Sequence, residues 1–145
     1  MEENPDKIIF FIDRCLGNQQ IAAAIKSLGI SVETHDQHFP KNALDIEWIP
    51  KIAEKRWIIL TKDERIGKNA LERQVLARSG LRMFTLAAQG LSGEEMVSIF
   101  QKAIIPMQKF IEKNPAPFIA KIYRNGDVKA WKTAEVLLAE IKNIG

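Results

Sequence analysis

Short runs of consecutive apolar residues alternate with stretches of helical spacing over most of the chain. "KIIFFID" (7–13) holds five unbroken apolar positions, the pattern of a strand buried on both faces of a parallel sheet. After a break at Gly17-Asn18, "NQQIAAAIKSLG" (18–29) spaces its apolar residues as a helix does and stops on Gly29. The β-branched "ISVETHD" (30–36) predicts a second strand, and "FPKNALD" a loop that delivers Asp45 as the N-cap of a helix over 46–56. Pro50 sits badly there, because proline is comfortable only in a first turn, so that helix is expected to start late or kink. "WIILTKD" (57–63) and "LRMFTLA" (81–87) predict the third and fourth strands, separated by an amphipathic helix over 69–80.

Beyond residue 91 the style changes. A serine and early acids open a long helix over 92–114, which Pro106 should kink or divide. "PFIAKIY-RNGD-VKAWK" has a period of two around Asn125-Gly126 and predicts a hairpin, and "TAEVLLAEIKNI" (133–144) a closing helix. Alternating strands and helices predict a three-layer α/β/α fold with a mainly parallel sheet, order 2-1-3-4, plus the C-terminal hairpin. The 145 residues fit one domain, with an α/β core over 1–90 and the helix, hairpin and closing helix over 91–145.

That strand order gives the acids a meaning. Asp13 ends the first strand and Asp63 the third, which would be neighbours roughly 5 Å apart at the backbone. They fall at the carboxyl edge where the chain direction reverses, the usual ligand site of such sheets. Asp45 opens a helix at the same edge, with Glu47 two positions on. Crowded carboxylates repel unless a cation joins them, and hard oxygen donors suit Mg²⁺ or Mn²⁺. Charge is uneven along the chain: residues 1–50 carry four Lys/Arg against eight Asp/Glu, whereas residues 51–82 carry nine against four. An acidic first third beside a basic middle suits acids that bind a cation and bases that face a polyanion.

These residues resemble a known family. An apolar strand ending Asp13-Arg14-x-Leu16-Gly17, Asp45-x-Glu47 opening a helix, and Ile59-Leu60-Thr61-Lys62-Asp63 are similar to a PIN-like ribonuclease domain of the compact branch grouped with VapC-type toxins. The terminal hairpin resembles that group as well. The resemblance implies a metal-dependent endoribonuclease in which Asp13, Asp45 and Asp63 are catalytic and ligate Mg²⁺ or Mn²⁺, with Glu47 as a further ligand and Thr61 orienting the third acid. Arg14, Lys62, Arg65, Lys68 and Arg73 would track RNA phosphates. An antitoxin protein that blocks the cleft and a homodimer are implied partners. The fourth acid or asparagine of many PIN domains is missing, because "TLAAQG" offers only Thr85 and Gln89.

Plainer readings stand beside these. A lone aspartate after a strand is often a turn former or cap, and Glu47 fits first-turn helix electrostatics. His35 and His38 lack a third soft ligand for zinc, and Cys15 reads as packing, as do Trp48, Trp57 and Trp131. A receiver domain would use Asp63 as phosphoacceptor and Thr85 as its switch, but it wants an acidic pair where Asp13 is followed by Arg14. A non-catalytic PIN-like module that grips RNA or protein is the other alternative. One cysteine, an acidic polar N-terminus and no long apolar run predict a cytoplasmic protein with no membrane span.

Overall fold

The computed structural model describes residues 8–17 and 19–142, without the side chains of residues 67 and 68. The N-terminal segment, Lys7 of the first expected strand, Asn18 and the end of the closing helix lie outside the described residues. Six strands form one sheet: β1 (Ile9–Ile12), β2 (Ser31–Thr34), β3 (Ile58–Thr61), β4 (Arg82–Leu86), β5 (Phe118–Ile122) and β6 (Val128–Lys132). Their order is β2-β1-β3-β4-β5-β6, parallel except for the antiparallel pair β5–β6. The expected order 2-1-3-4 is therefore the one observed, with the hairpin continuing the same sheet.

Alternate strand residues feed two separate cores. Phe10, Ile58, Phe84 and Ala120 face a cluster made with α1 (Gln19–Lys26) and α6 (Gly93–Lys113). Phe11, Ile59, Met83 and Ile119 face the opposite cluster. It is built with α3 (Asp45–Glu54), α5 (Ala70–Arg78) and α7 (Ala134–Lys142). The unbroken apolar runs are thus explained by burial on both sides.

Several boundaries differ from expectation. β2 ends at Thr34, and "HDQH" forms a single helical turn, α2 (His35–His38), whose start is closed by Gln37 accepting from the Thr34 N–H at 3.0 Å. Asp45 is the first residue of α3 and not its cap; Leu44 holds the cap position and Glu47 accepts from the Leu44 N–H at 3.5 Å. Pro50 lies inside α3, which nevertheless starts at Asp45. A further short helix, α4 (Arg65–Lys68), follows β3, and Asn69 caps α5 by accepting from the Glu72 N–H.

Pro106 does not divide α6, which runs unbroken over 21 residues behind a reciprocal Ser92–Glu95 cap. The apolar face Ile99, Phe100, Ala103, Ile104 and Met107 crosses the proline and is buried on both sides of it. That burial outweighs the cost of an interior proline, roughly 3 kcal/mol for the lost backbone bond and the ring clash together. At the hairpin tip Gly126 adopts φ +90°, and a Cβ there would come within 2.7 Å of Lys102 on α6. Glycine is required at that turn both for its conformation and for close approach.

Candidate active site

Asp13 and Asp63 stand just past the ends of β1 and β3, at the carboxyl edge, and Asp45 opens α3; each is held differently. Asp13 extends the ladder beyond β1, its N–H donating to the Leu60 carbonyl at 2.9 Å. Its side chain makes no capping bond to the 3₁₀ turn that follows over Arg14–Leu16, so the capping reading of this aspartate fails. Instead Asp13, 8% exposed, receives the Thr61 hydroxyl on Oδ2 at 2.7 Å, and the Cys15 thiol lies 3.3 Å from the same oxygen.

Thr61, fully buried at the end of β3, is the joint between two acids. While donating to Asp13 it accepts the backbone N–H of Asp63 at 3.1 Å. Thr61 thus bonds the carboxylate of the first acid and the backbone of the third. Cys15 completes this knot, with Sγ 3.1 Å from Thr61 Oγ1 and 3.4 Å from the Lys62 N–H that donates to it. Burial, followed by the Asp13 charge, pushes the thiol pKa up to about 11, so Cys15 remains protonated at neutral pH.

Asp63 is engaged locally. Its Oδ1 accepts from the backbone and Nε of Arg65 at 3.0 and 2.9 Å, and its Oδ2 accepts from Nη2 at 2.9 Å. Hydrogen bonding by Arg65 holds this carboxyl below its ordinary range. The Arg65 side chain is 90% exposed and the Asp63 side chain 15%, so the arginine lies over the acid from the solvent side.

Asp45 is where the charges meet. Trp48 Nε1, on an otherwise buried indole, donates to its Oδ1 at 3.0 Å. Its pKa is raised first by burial and then by the Asp13 charge, with smaller contributions from Asp63 and Glu72, against the opposing Trp48 bond. Four carboxylates thus share one electrostatic neighbourhood. Glu72, in the first turn of α5, was missed in the sequence; its position three residues after Asn69 reads as ordinary capping, and only the fold turns it toward Asp45. A cleft of about 690 Å³ opens beside these groups, lined by Asp45, Asp63, Arg65 and Glu72 and walled by exposed Leu44 and Leu71.

The other expected residues are placed as follows. Glu47 is exposed and folds back on its own helix start, away from the cluster. Arg14 is exposed just past Asp13, and Lys62 is half-buried beside Cys15. The side chain of Lys68 lies outside the described residues. Arg73 is drawn off to α7, where it makes a two-pronged bond to Glu140 at 2.8 and 3.0 Å, a packing role and not a phosphate contact. Thr85, at the position of the missing fourth acid, is buried, and its hydroxyl has no partner among the described residues. His35 and His38 belong to an aromatic group with Phe11, Phe39, Trp48 and Trp57.

Whether a divalent cation fits can be judged from the donors. Carboxylate oxygens are the right chemistry, and Asp45, raised first by burial and then by the Asp13 charge, is a group whose charged form a cation would favour. The bonds to Thr61 and Arg65, however, take up oxygens of Asp13 and Asp63. Among the described residues no group of three or more His, Cys, Asp or Glu side chains is arranged to hold an ion. For Asp63 to serve as a ligand, Arg65 would have to yield at least part of its hold on that carboxylate.

The fold is a mainly parallel sheet with acids at its reversal point, and comparison with known proteins identifies its family. Residues 8–88, more than half the chain and including every acid of the cluster, match the family described as "PIN like domain"; the protein belongs to that family. Over 117 residues it is 26% identical to "Putative ribonuclease VapC45" of Mycobacterium tuberculosis, covering 78% of this chain and 84% of that protein. No solved structure matches the chain. The family match displaces the receiver-domain reading. Among the described residues no helix is long and apolar enough to cross a membrane.

Proposed function

We propose that the protein is a metal-dependent endoribonuclease and the toxin of a toxin–antitoxin pair, cutting RNA at the cleft beside Asp45. The observation that carries this is a half-buried Asp45 lining a cleft with Asp63 and Glu72, its pKa raised by that burial and then by the nearby Asp13 charge. Perturbed carboxyls in a cleft are candidates for functional sites. Kinship with a protein named as a ribonuclease supports the same reading.

Asp13, Asp45 and Asp63 would hold Mg²⁺ or Mn²⁺. Bound there, the cation would supply an activated water and offset charge developing on a phosphate. The remaining work falls to the chain itself. Thr61 fixes the Asp13 carboxylate and Trp48 that of Asp45, so two acids are oriented before any substrate arrives. Arg65 is held only at its tip, and a phosphate oxygen can replace Asp63 as partner of its guanidinium. Arg14 and Lys62 flank the acids and would contact the sugar–phosphate backbone, leaving sequence unread. An antitoxin covering the cleft, a homodimer and residence in a reducing cytoplasm belong to the same reading.

Incubation of labelled RNA with protein and Mn²⁺, with and without chelator, tests it. Cleavage should require the metal and vanish in Asp13→Ala and in Asp63→Asn, with folding checked by circular dichroism. Cleavage that survives both substitutions refutes the assignment. The missing fourth acid favours a second reading, a module that grips RNA without cutting, for which the same mixture would show binding and intact RNA.

A further inference from the structure

The family match ends at residue 88, yet the sheet continues from the acids into the hairpin along one row. Phe11 pairs with Ile59, and the Asp13 N–H bonds the Leu60 carbonyl, so Asp13 stands opposite Thr61. Thr61 pairs with Thr85, Thr85 with Lys121, and Lys121 with Lys129. Register partners point to the same face. The carboxyl edge therefore carries a line of side chains that begins at an acid and ends in two lysines. At about 4.8 Å per strand, Lys121 lies roughly 14 Å and Lys129 roughly 19 Å from Asp13.

Both lysines are presented in the same way. Lys121 Nζ sits 4.1 Å from the ring centre of Trp131, and Lys129 Nζ sits 5.6 Å from that of Tyr123. Lys129 and Tyr123 are exposed on the edge strand and the turn. Lys121 is partly covered and also lies 3.8 Å from Glu64, the residue after Asp63, which ties the loop of the third acid to the hairpin. Stacking on a ring holds an ammonium in place and reduces the entropy lost when it meets an anion. A cluster of acids repels a polyanion, so cations that retain the strand must stand clear of the acids while remaining in line with them.

We propose that the C-terminal hairpin is a second contact surface for the RNA. Lys121 and Lys129 hold phosphates a few nucleotides from the bond at the acids, and Tyr123 offers a ring to a neighbouring base. This rests on the nuclease reading for where the strand is cut, but not for whether it is gripped. RNA is the occupant because the lysines stand in the same register row as Asp13 and carry the charge a phosphate needs, in a protein whose relative is named as a ribonuclease. An acidic polypeptide would meet the same lysines, and the competition arm of the test distinguishes it.

The test is fluorescence anisotropy of a single-stranded RNA of roughly twelve nucleotides, within the size such surfaces cover, titrated with salt in the presence of chelator. Lys129→Ala, an exposed edge change, should bind several-fold more weakly and lower the slope of log affinity against log salt by about 0.7. Adding Lys121→Gln should lower it by about as much again, with a thermal melt to confirm folding. A trinucleotide too short to span both regions should bind all forms alike. An unchanged slope in Lys129→Ala overturns the proposal, as does displacement of the RNA by an acidic peptide as readily as by unlabelled RNA. If the wild-type protein cuts no RNA but the slope changes as stated, the nuclease reading falls and the contact surface stands. If it cuts RNA and Lys129→Ala cuts long and short substrates as the wild type does, the surface falls alone.

Discussion

Thr61→Val isolates the bond on which the site's geometry rests. Valine matches the shape of threonine, so the substitution removes a hydroxyl without opening a cavity in a position that is fully buried. Two bonds are lost. The 2.7 Å bond to the Asp13 carboxylate is charge-assisted, a kind worth about 1.5–3 kcal/mol. The 3.1 Å bond from the Asp63 N–H is neutral and worth about 0.5–1.5 kcal/mol. The added methyl returns about 0.8 kcal/mol of apolar burial, leaving a net loss of about 1–4 kcal/mol. For a domain of this size that is a fall in melting temperature of roughly 3–13 °C. Urea denaturation of wild type, Thr61→Val, Asp13→Ala and the double variant separates the pairwise part, which should be at least about 1.5 kcal/mol. RNA cleavage should fall in the same single variant, since Asp13 loses its orienting donor. Additivity of the two substitutions within about 0.5 kcal/mol would show that the hydroxyl does not hold the acid, and the account of the site as a pre-oriented edge would fail.

Three further outcomes are expected. Asp45 has a raised pKa, so between its unfolded value of 3.8 and its higher folded value the native state binds more protons than the unfolded chain. Folding therefore loses stability as pH rises through that window, and Asp45→Asn, which keeps an acceptor for Trp48, should melt higher than wild type at neutral pH while abolishing cleavage; a lower melting temperature there would contradict the repulsion. His35 is shifted the opposite way by burial, so below 6.5 the unfolded chain takes up protons that the native state resists, and stability should drop as pH falls from that value. His35→Phe should flatten urea midpoints between about pH 8 and 5, whereas His38→Gln should not; an unchanged profile in His35→Phe excludes the buried imidazole as the cause. Arg65→Gln removes the guanidinium from Asp63 and should tighten Mn²⁺ binding several-fold by isothermal titration; equal affinity would mean that the arginine does not compete with the cation.

The sheet was legible because its strands are short unbroken apolar runs, too short for helices and alternating with helical spacing, and most of their residues are buried on one face or the other. What escaped the sequence was whatever depended on a partner far along the chain. Thr61 lies two residues from Asp63, which suggests a local role, but its hydroxyl is directed across to a strand 48 residues earlier. Cys15 looked like packing until its thiol was found between the same two groups. Arg73 sits among the basic residues of the middle third, yet α7, far away in sequence, supplies Glu140 to take it. Errors also came from rules applied one position out. Asp45 reads as a cap by type, but Glu47 already satisfies the Leu44 N–H, which moves the helix start back and frees the Asp45 carboxylate for Trp48.

The difference between Asp13 and Asp63 follows from the same geometry. Asp13 is anchored by a buried hydroxyl from the sheet, so its position is as rigid as the strands β1 and β3 that carry it. Asp63 stands two residues past the end of β3, in a loop, and its partner is an arginine whose side chain is nearly all in solvent. The pair is two-pronged but open to solvent on the arginine side, where a phosphate can compete for the guanidinium. One acid is fixed and the other is closed by a group that an incoming phosphate can draw away. Substrate arrival would then uncover Asp63 at the moment its charge is needed, and the repulsion stored at Asp45 would favour a cation over the arginine that had been standing in its place.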